Sequence, residues 1–238
     1  MGAGRLHRCW GDAFYADSGG DGSPLLFLHG TGCDSRDWDR VVARLPGVRA
    51  VRMDFRGHGR SDVPPGPFTL DDLAEDSLAL IDRLDQTDVL LVGHSLGGMV
   101  AMAAASRSRR VGGLVLLEGW TRLKGMNAFG PGRFYGGLNR RRIEAIRRKD
   151  AKTRARFDPA AWAHFWQSVE AFDASDFLAS ARIPILEVYG ARGRIDSTRA
   201  RLMIPDNPRI RLEWISDAGH YLPHERPDEV ARLCLCAR

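Results

Sequence analysis

Residues 88–106 read DVLLVGHSLGGMVAMAAAS, and the fold turns on how they are read. The stretch 88–94, DVLLVGH, is almost unbroken aliphatic sequence, which suits a strand buried on both faces of a parallel sheet. MVAMAAAS, 99–106, is small and apolar, as a helix packed tightly on a sheet must be. Between them Gly93-His94-Ser95-Leu96-Gly97 fits G-x-S-x-G, and Gly98 follows. A serine on a sharp strand-to-helix turn needs glycines around it, because a Cβ there would meet neighbouring backbone. The N-terminus of the helix sets amide donors and a positive dipole end beside the hydroxyl. Ser95 is therefore the candidate nucleophile.

Working outward, strand-like runs alternate with helical spacing, which predicts an α/β fold with a parallel sheet covered on both faces. Strands are expected at 25–29, 48–55, 88–94, 112–119, 185–189 and 209–216. Helices are expected at 35–45, with Trp38, Val41, Val42 and Leu45 on one face, at 69–84 with Thr69 as N-cap, and at 227–236 with Pro227 near its start. The segment 119–182 breaks the rhythm: a loop-like start gives way to helical patterns at 139–155, 159–172 and 174–181. It reads as a helical cap inserted into a core made of 1–118 and 183–238.

Two further corners point toward Ser95. His29-Gly30-Thr31-Gly32 leaves the strand at 25–29, and an amide there can aim where the serine aims. Negative charge developing on a carbonyl oxygen would then meet the N–H groups of Thr31 and Leu96. Asp217-Ala218-Gly219-His220 leaves the last strand, late in the chain, where a general base for Ser95 belongs. Among the other histidines, His58 lies in a turn, His94 is expected to face away from the pocket, and His224, in HERP, suits a structural hydrogen bond.

HGTG at 29–32, MDFRGHGRSD at 53–62, GHSLGG at 93–98 and DAGHYLPHERP at 217–227 together resemble the α/β-hydrolase fold family. The likeness covers almost the whole chain outside the cap. It implies an eight-stranded, mostly parallel sheet, a nucleophile elbow at Ser95 and chain order Ser, acid, His. It also implies that the arginine and glycines of 54–62 shape a turn near the site. A serine at the elbow points away from the epoxide hydrolase and haloalkane dehalogenase chemistries, which use Asp.

The same resemblance exposes a gap. The family's usual acid stands three residues after the glycine that ends the ILEVYG strand, and here that residue is Gly193. A base needs a third group to hold its tautomer and stabilise the imidazolium. Glu118, closing the apolar run GLVLL, is one replacement, and some family members keep their acid at that strand end. Asp196, three residues beyond the usual slot, is the other, with a helix N-cap as its plain reading.

The remaining features bound the function. The 238 residues are 44% hydrophobic and 27% charged, ordinary for a globular domain. No apolar run is long enough to span a membrane, and the first twenty residues have no signal-peptide core, so a cytoplasmic protein is expected. The net charge of +5 comes almost wholly from Arg, with Lys only at 124, 149 and 152. Residues 133–156 hold ten Arg or Lys, read either as a solvated helix face or as a rim attracting anionic substrates. The basic run carries no aromatic-interleaved nucleic-acid-binding motif, so no nucleic-acid partner is expected. Cys9, Cys33, Cys234 and Cys236 are too scattered for a metal site, and no cofactor or metal is expected. Gly30 of the core and Trp120, Phe134, Tyr135, Trp162 and Trp166 of the cap are the candidate pocket residues, and the cap also carries Phe129 and Phe165. The expected function is hydrolysis of a carboxylic ester or lactone of a medium-sized, partly apolar small molecule, by a monomer or homodimer. A C–C bond hydrolase and a low-turnover binding protein are the alternatives.

Overall fold

The computed structural model describes residues 2–128, 133–192 and 198–238. Eight strands form one sheet: β1 (Gly2–Arg8), β2 (Gly11–Asp17), β3 (Leu25–Leu28), β4 (Ala50–Met53), β5 (Val89–His94), β6 (Val111–Leu117), β7 (Ile185–Gly190) and β8 (Ile210–Ile215). Their order is β1-β2-β4-β3-β5-β6-β7-β8. From β4 onward every pairing is parallel, while β1–β2 and β2–β4 are antiparallel.

Alternate residues of each central strand enter different cores, as the two-residue period of a pleated strand requires. Leu26 and Leu28 pack on one face with Leu91, Val100 and Phe68. Leu25 and Phe27 pack on the other with Trp38, Val92, Val230 and Leu233. The helices that supply those faces are α1 (Asp39–Val42), α2 (Leu70–Arg83), α3 (Leu96–Ala105), α4 (Arg140–Arg154), α5 (Pro159–Ala171), α6 (Ser175–Ser180), α7 (Leu222–Glu225) and α8 (Pro227–Cys236). Thr69 caps α2 by accepting the Asp72 N–H, and the Asp72 carboxylate returns the bond to the Thr69 N–H.

Three elements differ from expectation. The hairpin β1–β2 carries no strong apolar alternation, because β1 is an edge strand with only Leu6 buried. The helix expected over 35–45 is a 3-10 turn, Ser35–Trp38, followed by the single turn α1. The strand expected over 48–55 is reduced to β4, since the Phe55 N–H turns away from the sheet to His29 Nε2, 3.0 Å distant.

The segment between β6 and β7 carries α4, α5 and α6 and adds no strand to the sheet among its described residues. Three cations of its basic run tie it to the core, while Arg140, Arg141, Arg147, Arg148, Lys152 and Arg154 are exposed. Lys149 Nζ donates to Asp37 at 2.8 Å and lies 3.3 Å from Asp34. Arg156 donates to the carbonyls of Gly59 and Ser61, at 3.1 and 2.8 Å, and Arg142 to that of His224 at 2.9 Å. Phe157 and Phe165 stack on Phe68 with ring centroids 5.4 and 4.8 Å apart. Among the described residues, no helix is long and apolar enough to cross a membrane.

Candidate active site

The turn from β5 into α3 has the strain its sequence foretells. Ser95 has φ 54° and ψ −118°, a conformation L-residues avoid unless their surroundings impose it. The surroundings do so: a Cβ at Gly93 would run into the Gly97 carbonyl, and one at Gly97 into the Leu28 carbonyl. The Ser95 N–H is anchored to the Leu117 carbonyl at 2.9 Å. Opposite, the His29–Gly32 corner lies close, since a Cβ built on Gly30 would stand 3.4 Å from the Ser95 Cβ.

Glu118 terminates β6 with φ 56° and is fully buried. One carboxylate oxygen, Oε2, lies 3.3 Å from His220 Nδ1. The other, Oε1, accepts the Gly190 N–H at 2.7 Å. Gly190 is the last residue of β7, so Glu118 reaches across one strand spacing to the strand end where the family usually carries its acid. Buried charge without partners is costly, and this carboxylate has an imidazole and a backbone donor. Asp196 and Gly193 lie outside the described residues, as does Phe129.

His220 leaves β8 on a loop and is only 2% exposed. Phe134 stacks on its ring at 4.2 Å and 20°, and Trp120 lies parallel to it at 6.2 Å. His94 does not face away, contrary to expectation. Its Nε2–H donates to the His220 carbonyl at 2.9 Å, its ring lies 4.9 Å from that of His220, and it lines the cavity. Burial, and then the field of His220, hold the His94 pKa well below the ordinary histidine value, so His94 is a neutral donor. His29 is also fixed as neutral: Nδ1–H donates to the Gly30 carbonyl at 2.7 Å while Nε2 accepts from Phe55. His224 plays the structural part expected of it, bonding Asp37 Oδ1 through Nε2 at 2.9 Å. Burial alone would raise the Asp37 pKa, but the His224 bond and the Lys149 ammonium outweigh it and hold it below the carboxylate range.

Ser95 and His220 line one cavity of about 390 Å³. Gly30, Thr31, Leu96, Trp120, Phe134, Tyr135 and Trp166 line it with them. Trp162 does not. It sits a layer behind, 5.0 Å from Phe157, 5.5 Å from Phe165 and 6.1 Å from Trp166, because the α5 face carrying Phe165 turns it toward His58 rather than the opening. Sequence reasoning missed Met99, Leu123, Val169 and Tyr221, which complete the apolar wall, and Asp150 and Glu170, which bring carboxylates. Met99 lies four residues after Ser95 on the elbow helix, and that one-turn spacing is a signal the sequence did carry. No Arg or Lys is among the described residues lining the cavity, so the basic run does not form a cationic wall there. Cys33 also reaches the cavity, and burial pushes its thiol pKa well up, which leaves it un-ionised.

A sequence model of the alpha/beta hydrolase family matches residues 25–233. Among curated proteins, a putative non-heme haloperoxidase of Mycobacterium phage D29 is 37% identical over 102 residues, covering 42% of this chain and 37% of the relative. The putative carbamate hydrolase RutD of Caulobacter segnis is 43% identical over 102 residues, covering 41% and 38%. The matched stretches thus span less than half the length of these relatives. Among solved structures, Est816, described as an N-acyl homoserine lactone degrading enzyme, is 26% identical over 98% of this chain and 99% of its own, with a TM-score of 0.75. A thermophilic esterase from Thermogutta terrifontis is 26% identical over 98% and 96%, with a TM-score of 0.78.

Proposed function

Since the chain belongs to the alpha/beta hydrolase family, we propose that it is a cofactor-free serine hydrolase of carboxylic esters or lactones. Ser95 Oγ attacks the carbonyl carbon of the substrate while His220 Nε2 takes its proton. Glu118 holds the Nδ1–H tautomer of His220 and stabilises the imidazolium that forms. The N–H groups of Leu96 and Thr31 receive the oxyanion, a contribution of about 3–4 kcal/mol to the barrier for a well-aimed donor. Collapse expels the alkoxide, protonated by His220, and leaves an acyl group on Ser95. With a lactone the freed hydroxyl stays attached to that acyl group. Water, deprotonated by His220, then releases the acid.

The observation that carries this reading is the buried contact of 3.3 Å between His220 and Glu118 in the cavity that also holds Ser95. The esterase and the lactone-degrading enzyme among the structural relatives support the choice of carbonyl chemistry. The cavity volume suits a medium-sized substrate. The segment 119–182, through Trp120, Phe134, Tyr135 and Trp166, serves as a cap that excludes water from the acyl group.

The test is reaction with a fluorophosphonate probe, together with a panel of p-nitrophenyl esters and acylated lactones. Wild type is expected to label and to turn over several members of the panel, and Ser95→Ala to lose both. Labelling retained in Ser95→Ala would mean that another residue reacts. A wild type that neither labels nor hydrolyses would overturn the hydrolase reading in favour of a binding protein.

A further inference from the structure

Beyond Ser95, His220 and Glu118, the loop that carries the imidazole has its own holder. The loop 216–221 has no regular structure, so the position of His220 depends on side chains that grip its backbone. Glu225, at the end of α7, grips it twice: Oε2 accepts the Gly219 N–H at 2.7 Å and Oε1 accepts the Tyr221 N–H at 3.0 Å. These are the amides on either side of His220. The His220 carbonyl is itself bonded by His94 Nε2–H. A carboxylate that accepts two backbone N–H groups forms charge-assisted bonds, which are stronger than neutral ones and fix direction as well as distance.

The same carboxylate meets the cap. Gly137 lies against it so closely that a Cβ built there would overlap Glu225 Oε2. Only a residue without a side chain fits beside the Glu225 carboxylate at this point of the cap. Arg192 makes a parallel link, with Nη1 donating to the Gly136 carbonyl at 2.5 Å and Nη2 to that of Asp217 at 2.9 Å.

We propose that Glu225 is a positioning residue for the reaction: it sets the imidazole of His220 against Glu118 and Ser95, and Gly137 of the cap keeps it in place. The proposal rests on the hydrolase reading for its kinetic consequence and on geometry alone for its structural one. Glu225→Gln replaces one accepting oxygen by an NH2, which faces a backbone donor and cannot bond it. Gly137→Ala leaves every catalytic and loop residue unchanged and displaces the flexible end of Glu225 instead.

The experiment compares wild type, Glu225→Gln and Gly137→Ala by steady-state hydrolysis of a p-nitrophenyl ester and by crystal structure. Both variants are expected to lose kcat by about 10- to 100-fold, the effect of a misplacement near 1 Å, with KM within about twofold of wild type. In both crystal structures the His220–Glu118 contact should lengthen beyond hydrogen-bonding distance. The double variant should lose no more than the worse single, because both act through one carboxylate. Unchanged kcat with the contact intact in Gly137→Ala overturns the proposal. So does a loss of thermal stability alone, with kcat per folded molecule preserved. If wild type hydrolyses nothing, the hydrolase reading falls, and the His220–Glu118 distance in the variants still decides the role of Glu225.

Discussion

Trp162 and Trp166 stand one helical turn apart on α5, yet only Trp166 reaches the cavity. Trp166→Ala is expected to enlarge the acyl space, raising kcat/KM for longer-chain esters relative to shorter ones. Trp162→Ala should lower the melting temperature and leave that chain-length ratio unchanged, which a set of p-nitrophenyl esters and a thermal melt would show. On β7, the buried Glu187 carries a carboxyl whose pKa is pushed up to about 8 by burial, only partly offset by its contact with the Tyr189 hydroxyl at 3.0 Å. In the folded protein it holds its proton well above the pH at which the unfolded chain releases it, near 4.5. Between those values the folded state binds the extra proton, so stability declines as pH rises from about 4.5 to about 8 and levels off above that. Glu187→Gln should remove this decline, and melting curves across that range would reveal it. The acid of the proposed triad shows where residue types stop being informative. Glu118 and Asp196 are both legible as candidates, but whether a side chain reaches across a strand spacing depends on the orientation of β6 against β7, which no local pattern encodes.

The element most open to test is α4, whose run of arginines and lysines looks like a solvated face until its partners are seen. Lys149 points into the acidic corner of Asp34 and Asp37, and Asp37 also holds His224, which stands on α7, the short helix that follows His220. Lys149→Met would leave the buried Asp37 carboxylate with one fewer partner, at a cost of about 1–3 kcal/mol because the ammonium is partly exposed. The melting temperature is expected to fall by a few degrees and KM to rise more than kcat falls, as α4 loosens over the cavity. An unchanged melt and unchanged KM would mean that the ion pair contributes nothing to seating the cap. Helices with strong caps and long amphipathic spacing, such as α2, α4 and α5, match their sequence ranges to within a residue or two. The hairpin β1–β2 was invisible to the same reading because an edge strand buries little, and α1 is short because Asp34 closes a 3-10 turn ahead of it.

At the scale of the molecule, the net charge of +5 and the character of the cavity part company. Lys149, Arg142 and Arg156 tie the cap to the core, other cations of the run face solvent, and the described cavity wall is aromatic, aliphatic and, at Asp150 and Glu170, acidic. The parallel order of β3 through β8 brings three chain-distant corners, after β5, β6 and β8, to one end of the sheet. Ser95, Glu118 and His220 stand on those corners, which is why motifs scattered over more than a hundred residues of sequence meet in one site. What the sequence left open was which strand supplies the acid, and on that the chemistry depends. The direct measurement is the rate of Ser95 acylation by a p-nitrophenyl ester in stopped flow, for wild type, Glu118→Gln and Asp196→Asn. Acylation in Glu118→Gln should be slower by about 10³- to 10⁴-fold, the loss expected when the base is left without its orienting carboxylate, while Asp196→Asn stays within about threefold of wild type. A Glu118→Gln enzyme that acylates at the wild-type rate, or an Asp196→Asn enzyme that fails, would contradict the account.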